Sequence, residues 1–257
     1  MDIRTLLKGE PIAEREGVLF FSDPPADIVP SRDALPGDPR TWSHWRRENY
    51  RFLERELAGC IPGATLVDVG AGQSDFRELT KKFSVCAFDF YPYPGVDVVC
   101  DFASSLPLKD HSADIVLLTN VLEHVREPNV LLTECHRILK PGGVLLGTVP
   151  FLIKIHQRPY DFYRYTEGNL SYLFRKHGFQ NVQVIPVSNL SVFLFNTATS
   201  FFIQAIKEAR FKLPWRIIWR IVRIAFSLFR GVSEKRFFDP ENPLGYLFQV
   251  YRGKHVV

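Results

Sequence analysis

The sequence predicts an α/β fold in which helices cover both faces of a mostly parallel sheet. Short apolar runs alternate with helical segments between residues 65 and 187, as expected for repeated strand–helix–strand units. The first apolar run leads into the glycine-containing sequence Asp68-Val-Gly-Ala-Gly72, which suits a turn from a strand into a helix. With 257 residues, 46% of them hydrophobic and 23% charged, the chain is large enough for one substantial domain.

The residues before this alternation are predicted to form loops, a short strand and one helix. The apolar run at 17–22 is expected to be the strand, and turns rich in Pro and Asp follow it. Between Trp42 and Leu57 apolar residues recur at helical spacing, and only Asn49 places a polar group on that face. We therefore predict an N-terminal segment with a lid helix over residues 1–58.

The predicted core follows in chain order. Strands are expected at 65–69, 84–89, 96–100, 113–119, 144–149 and 182–187, and helices at 76–83, 128–139 and 167–177. The helix from 128 stops at Lys140-Pro-Gly-Gly143, where a cation, a proline and glycines end a helix. Residues 59–187 are thus predicted to be the core, 188–244 a basic aromatic helical insertion, and 245–257 the final strand of the core.

The glycine turn predicts a cofactor pocket, because ligands of parallel sheets bind beyond the carboxyl ends of the strands. Gly70, Ala71 and Gly72 would allow a ligand to approach the backbone closely. A nicotinamide dinucleotide would require glycine at position 75, but Asp75 stands there and its carboxylate would repel a pyrophosphate. S-adenosylmethionine (SAM) carries no phosphate and has an ammonium group, which Asp68 and Asp75 suit. The turn therefore favours SAM.

Residues at the ends of the later strands extend this predicted site. Asp89 ends the second strand, where a carboxylate can accept both ribose hydroxyls, and Phe90 follows it. Asp101-Phe102 follows the third strand and is expected to contact the adenine, while Asn120 after the fourth strand is expected near the sulfonium. Asp89 alone could equally be an N-cap or a turn residue, and Asp101 alone would more often be a turn residue. Their shared order and position at strand ends favour binding.

Four segments carry a resemblance to a known family. They are VDVGAG (67–72), LPLKDHSADIV (106–116), NVLEHV (120–125) and ECHRILKPGG (134–143). Together they resemble the class I SAM-dependent methyltransferases, in particular the small-molecule branch that includes quinone-biosynthesis C-methyltransferases. The resemblance covers about half of the chain and implies a Rossmann-like sheet of six parallel strands and a last antiparallel strand. Two departures are Ser74, where a glycine is frequent, and the insertion before the last strand.

Three side chains after the fourth and fifth strands are candidate catalytic groups. Methyl transfer is an in-line displacement at the sulfonium carbon, and a hydroxyl acceptor also needs a base. His124, His156 and Asp161 are the candidates, and the aromatic loop at 151–166 suits a sugar acceptor. The spacing of His156 and Asp161 resembles methyltransferases of bacterial surface-glycan assembly. Alternatively, His124 braces a helix and Asp161 pairs with Arg164.

Metal ligands and membrane spans are not predicted. The four cysteines lack zinc-ligand spacing, so no metal site is expected. No run reaches the roughly 18 apolar residues of a spanning helix, and the N-terminus lacks the apolar core of a signal peptide. We therefore expect a cytoplasmic protein.

The segment 213–230 predicts contact with an anionic membrane surface. Its arginines fall on one stripe of a helix whose other positions are almost all apolar; they are Arg216, Arg220, Arg223 and Arg230. Such a helix can lie in the headgroup region, which would make the protein peripheral at the inner face of the membrane. Packing on the core or in a dimer interface remains open. Nucleic-acid binding is disfavoured, since the aromatic residues are not interleaved for stacking.

These features predict a transferase that uses SAM to O-methylate a sugar or a glycan-lipid hydroxyl. C-methylation of a prenylated quinone or another lipid is the alternative enzymatic interpretation. A methyltransferase-like binding protein without activity and an NAD-dependent oxidoreductase are further alternatives.

Overall fold

The structure is a computed structural model that describes residues 2–25, 42–73, 76–188, 190–208, 217–221, 224 and 239–253. Within these ranges, a nine-stranded sheet forms the centre of the molecule. Its strands are β1 (Ala13–Arg15), β2 (Val18–Phe20), β3 (Thr65–Val69), β4 (Ser84–Asp89), β5 (Val98–Val99), β6 (Ala113–Thr119), β7 (Leu139–Pro150), β8 (Phe179–Ser188) and β9 (Pro243–Arg252).

The strand order confirms the predicted fold class. The order across the sheet is β1-β2-β5-β4-β3-β6-β7-β9-β8, and β5, β4, β3, β6 and β7 are parallel to their neighbours within this run. Strand β9 lies between β7 and β8 and is antiparallel to both. This is the predicted core of six parallel strands and one antiparallel strand. The sheet is extended by β2, which pairs in parallel with β5, and by β1, which pairs antiparallel with β2.

The α-helices whose bounds fall within the described residues are α1 (His44–Ala58), α2 (Arg77–Thr80), α3 (Pro128–Ile138), α4 (Glu167–Lys176) and α5 (Leu190–Glu208). Helix α1 begins after Ser43, whose side chain accepts a hydrogen bond from the Arg46 N–H, and α4 begins after Thr166, which caps Asn169 in the same way. Such caps satisfy amide groups that lack partners within the helix. Helix α2 is only four residues long, shorter than the predicted 76–83.

The core has two layers, one on each face of the sheet. Successive strand residues point to opposite faces, so Leu66 packs with Phe52 and Leu53 of α1 in one cluster. Val67 packs with Leu131 and other residues of α3 in the second cluster. This arrangement leaves the carboxyl ends of the parallel strands open between the two layers.

The insertion between β8 and β9 begins with α5. The described residues 217–221 are also helical, whereas the rest of the predicted amphipathic helix 213–230, apart from residue 224, lies outside the described residues. Large apolar side chains are exposed on α5, including Leu194 at 52% and Phe201 at 61%. Among the described helices, none combines the length and the apolar character that crossing a membrane requires.

Candidate active site

A cavity of about 460 Å³ opens at the carboxyl ends of the parallel strands, a size within the usual range for small-molecule sites. Strand ends β3 to β6 supply its predicted cofactor residues, which are Gly70, Gly72, Asp89, Phe90, Asp101, Phe102 and Asn120. His124 also lines it. The strand alternation read from the sequence therefore brings these seven predicted residues to one cavity.

The turn after β3 requires its glycines. Gly70 has a φ of +77°, and a Cβ atom there would lie 2.4 Å from Cγ2 of Val121. The N–H groups of Gly70 and Ala71 both donate to the Phe88 carbonyl oxygen, at 2.8 and 2.9 Å. Ala71 therefore holds the turn against the end of β4, although it is not among the residues that line the cavity.

Asp89 connects the glycine turn to the end of β4. Its Oδ2 accepts a hydrogen bond from the Gly72 N–H at 2.8 Å, and its Oδ1 accepts one from the Tyr91 N–H at 3.0 Å. The residue is 3% exposed, and this burial raises the pKa of its carboxyl to about 6. Its orientation is therefore fixed by two backbone donors while its remaining lone pairs are available to hydroxyl groups.

Aromatic rings form one wall of the cavity. The Phe90 ring lies 6.4 Å from the Phe102 ring at an interplanar angle of 86°, and 6.3 Å from the Tyr160 ring. Asp101 lines the cavity, and its Oδ1 accepts a hydrogen bond from the Ala103 N–H at 2.8 Å. Asp101 is therefore a turn residue, which is one of the two roles considered for it. Because it also lines the cavity, contact with a ligand, the second role, is compatible with its position.

Asn120 ties the N-terminal helix to the cavity. It has a φ of +54° at the end of β6, and its Oδ1 accepts a hydrogen bond from Nε1 of Trp45 at 2.9 Å. Helix α1 therefore reaches the rim of the cavity, where the sequence predicted a lid helix.

One predicted acidic residue lies away from this cavity, and a second lies outside the described residues. Asp68 lies on the same face of β3 as Leu66, because side chains two positions apart point in the same direction. It lines a second cavity together with Arg77 and Lys81, so its predicted contact with the ammonium group of SAM is not supported. Asp75 lies outside the described residues.

A cluster of ionisable side chains lies beside the cavity. Glu123, in the short 3-10 turn Leu122–His124, is 0% exposed, and burial raises the pKa of its carboxyl to about 8. Neither of its carboxylate oxygens accepts a hydrogen bond from another residue of the described chain. Nδ1 of His124 contacts the Tyr160 carbonyl oxygen, which fixes the hydrogen on Nδ1 and leaves the lone pair on Nε2. Burial lowers the pKa of His124 to about 4, so its imidazole is neutral.

His156 reaches the same cluster from the loop after β7. Its Nε2 lies 3.9 Å from Oε1 of Glu123, while Nε2 of His124 lies 3.6 Å from that oxygen. The two imidazole rings meet edge to face at 4.8 Å. His156 is not among the residues that line the cavity, so the structure brings it behind His124.

Asp161 has a structural role in this loop. Its carboxylate accepts hydrogen bonds from both terminal nitrogens of Arg164, at 2.5 and 2.9 Å, and from the His156 N–H at 2.8 Å. The Arg164 guanidinium lowers the pKa of Asp161 to about 2, which makes it a poor proton acceptor. The prediction that Asp161 acts as a catalytic base is therefore not supported, and the alternative pairing with Arg164 is observed.

Some residues of the site were missed by the sequence analysis. Ser22, at the end of the predicted strand 17–22, lines the cavity together with Asp23 and Pro25 from the predicted turns that follow it. Glu123 was also missed, and the available signal was a carboxylate inside the apolar stretch NVLEHV. Such a position is unusual for an acidic residue without a functional or pairing role.

Comparisons with known proteins agree with this geometry. Residues 67–147 match the family described as "Methyltransferase domain". A "probable S-adenosylmethionine-dependent methyltransferase" of Mycolicibacterium smegmatis is 31% identical over 49% of this chain and 55% of its own length. The demethylmenaquinone methyltransferase of Renibacterium salmoninarum is 31% identical over 47% of this chain and 54% of its own length. The chain therefore spans about half the length of the curated relatives it matches.

The solved structures agree on the fold. A crystal structure described as a "putative sarcosine dimethylglycine methyltransferase" from Galdieria sulphuraria superposes with a TM-score of 0.54 at 18% identity, covering 80% of this chain and 86% of the other. Together, the family match and the two relatives support the resemblance to SAM-dependent methyltransferases, and the solved structure agrees with the predicted fold class.

Proposed function

We propose that this protein is a methyltransferase that moves the methyl group of SAM to a hydroxyl of a sugar or a glycan-linked lipid. The observation that carries the proposal is one cavity that joins the Gly70–Gly72 turn and Asp89 to the imidazole of His124. The first part suits the nucleoside of SAM, and the second supplies proton-accepting groups beside it. Cofactor and acceptor would therefore meet in a single cavity.

The chemical step is a displacement at the methyl carbon. An O–C bond forms, the C–S bond breaks, and the products are a methyl ether and S-adenosylhomocysteine. The hydroxyl proton passes to Nε2 of His124, which carries a lone pair, and then to solvent. Most of the acceleration would come from holding the reacting atoms in line and excluding water.

The residues that line the acceptor side of the cavity suit a ring-shaped polar substrate. Tyr160 and Phe162 line it together with Gln157 and Arg126, and the Arg126 guanidinium lies 5.3 Å from the centre of the Phe162 ring. Aromatic faces pack against the apolar face of a sugar, while amide and guanidinium groups donate to its oxygens. This combination favours a polyhydroxy acceptor.

The second candidate is C-methylation of a prenylated quinone or a similar lipid. It is favoured by the match to a demethylmenaquinone methyltransferase and would also use the aromatic wall. The two candidates predict different acceptors, so acceptor profiling separates them.

We also propose that the insertion brings the enzyme to an anionic membrane surface. Its described residues 217–221 are helical, and Ile217, Ile218 and Ile221 are between 42% and 62% exposed. Arg220, also exposed, lies among them. Because each basic residue near such a surface contributes about 1 kcal/mol, Arg220→Glu should weaken co-sedimentation with anionic vesicles several-fold. Arg175→Glu on α4 is the matched control, and equal binding by both variants would contradict the proposal.

The central experiment follows the methyl group. Methyl-labelled SAM is incubated with the protein and with fractionated bacterial extract, and the label is traced to glycan, lipid or quinone fractions. We expect His156→Ala to abolish transfer, because it removes one of the three groups of the ionisable cluster around His124. Calorimetry should show unchanged SAM affinity, because His156 does not line the cavity that contains the cofactor residues. His177→Ala is the control, since His177 is bonded to Asn129 on α3. Failure of the unmodified protein to bind SAM would exclude the methyltransferase function.

A further inference from the structure

We infer that Glu123, His124 and His156 bind a divalent transition-metal ion beside the cavity. The three residues each offer one ligand atom, and these atoms all lie within 4.8 Å of one another. Two ligands at metal–ligand distances near 2.1 Å are about 3.4 Å apart in a tetrahedral site. The distances of 3.6 Å and 3.9 Å from Oε1 of Glu123 to the two Nε2 atoms are close to this value. Small side-chain adjustments would complete the coordination.

The burial of Glu123 points independently to a cation. Its side chain is 0% exposed, and no other described residue donates a hydrogen bond to either carboxylate oxygen. Nearby Arg164 directs both terminal nitrogens at Asp161 instead. A buried carboxylate without a hydrogen-bonding partner is costly, and buried charges are normally paired or bound to metals. A metal ion would supply the missing positive charge.

The outer contacts of both histidines also suit metal binding. A metal-binding histidine usually donates its other ring N–H to a carbonyl or a carboxylate, which orients the ring. Nδ1 of His124 contacts the Tyr160 carbonyl oxygen. Nδ1 of His156 lies 3.3 Å from the Lys154 carbonyl oxygen and 3.4 Å from Oδ2 of Asp161. Both rings therefore direct Nε2 towards Glu123.

The donor set indicates the class of ion. Two imidazoles and one carboxylate suit Zn²⁺, Mn²⁺ or Fe²⁺ better than Mg²⁺ or Ca²⁺, which prefer oxygen ligands. Three protein ligands leave a coordination position open, as in catalytic zinc sites. Since His124 lines the cavity, this position would face the acceptor.

The role of the ion rests on the proposed methyltransferase function. With the ion bound, Nε2 of His124 would hold the metal instead of accepting the proton. A bound metal lowers the pKa of a coordinated hydroxyl, so the acceptor oxygen would release its proton to solvent and attack the methyl carbon as an alkoxide. Metal binding itself does not depend on that function and can be measured without SAM.

The test measures binding of Zn²⁺ and Mn²⁺ to the full chain by equilibrium dialysis and elemental analysis. We expect about one ion per chain, and a loss of affinity of at least about 100-fold in Glu123→Gln and in His156→Gln, since changes even in the outer contacts of such sites cost 10–100-fold. His177→Gln removes an imidazole elsewhere and should keep full affinity. Co²⁺ bound in place of Zn²⁺ should give visible absorption bands that both cluster variants lose. Circular dichroism and SAM calorimetry verify that the variants are folded.

Each outcome supports or overturns the inference. Absence of a stoichiometric ion, or equal affinity in Glu123→Gln and His177→Gln, would overturn it. If Glu123→Gln instead raises the free energy of unfolding and no ion binds, Glu123 is a protonated acid and the inference is wrong. Methyl transfer that survives chelation would refute the catalytic role of the ion while keeping the methyltransferase function. Metal binding without SAM binding would support the metal site and refute the methyltransferase function.

Discussion

Replacing Asp89 by asparagine should separate cofactor binding from stability. Asp89 is 3% exposed, and its burial raises the pKa of the carboxyl from 3.8 to about 6. This difference corresponds to about 3 kcal/mol that the folded protein loses at pH 7 by keeping the charge. Asparagine removes that cost. Its amide group would face one of the two backbone N–H donors, Gly72 or Tyr91, and an unsatisfied donor costs about 1–3 kcal/mol. The two effects nearly cancel.

We therefore expect the free energy of unfolding of Asp89→Asn at pH 7 to remain within about 2 kcal/mol of the unmodified protein. SAM affinity should nevertheless fall by about 100-fold, because charged hydrogen bonds to two ribose hydroxyls contribute about 1.5–3 kcal/mol each. Urea unfolding and calorimetry measure the two quantities. A loss of stability above 4 kcal/mol with unchanged SAM affinity would refute this account.

The pH dependence gives a second measurement of the same effect. Between pH 3.8 and about 6 the folded protein holds a proton on Asp89 that the unfolded chain has released. The contribution of Asp89 to stability therefore decreases as the pH rises through this window. The stability of Asp89→Asn relative to the unmodified protein should increase over the same range, while SAM affinity of the unmodified protein should weaken as the pH falls below about 6. A relative stability that does not change with pH would contradict the burial effect.

Three other substitutions test the geometry of the site and the fold. Gly70→Ala combines a positive φ with a Cβ atom 2.4 Å from Cγ2 of Val121. Urea unfolding should therefore show a free energy of unfolding that is lower by about 2–5 kcal/mol. A decrease of less than about 0.5 kcal/mol would show that the turn accommodates the methyl group. In Gly168→Ala, the added Cβ atom in α4 would have no other atom within 4 Å. Thermal unfolding should show a free energy of unfolding that is higher by about 0.5–1 kcal/mol, and a lower value would contradict the placement of this residue in a helix. Trp45→Phe removes the hydrogen bond to Asn120, so calorimetry should show SAM binding about fivefold weaker, whereas unchanged affinity would mean that α1 is no part of the site.

The sequence predicted the elements whose patterns are local. Each core strand was an apolar run, and the glycine turn at Gly70 lay next to the first of them, so the cavity could be placed at one edge of the sheet. The strand at 18–20 lies within the predicted strand 17–22. The strand at 13–15 was not predicted, because Ala-Glu-Arg has no apolar alternation. Strand β1 forms because β2 offers it an edge, which is a property of the folded sheet.

The ionisable cluster could not be predicted from local patterns. His156 meets Glu123 across 33 residues of chain, and the loop that carries it is positioned by the Asp161–Arg164 pair. Asp68 shows a second limit of prediction from sequence patterns, which concerns the direction of a side chain. It has the expected place in the motif, but the alternation of β3 directs it to the other face of the sheet. Spacing in sequence gives proximity to a strand end, whereas the direction of a side chain depends on the register of the strand.

The position of β9 has a consequence for synthesis on the ribosome. Because this strand is the partner of both β7 and β8, which precede it by about a hundred and by more than fifty residues, those two strands emerge with bare hydrogen-bonding edges. The gap between them closes only after the whole of residues 188–244 has been translated. Exposed edges of this kind invite pairing with other chains. Ribosomes that pause inside the insertion should therefore leave nascent chains that depend on chaperones, and shortening the chain before residue 243 should yield an aggregating product.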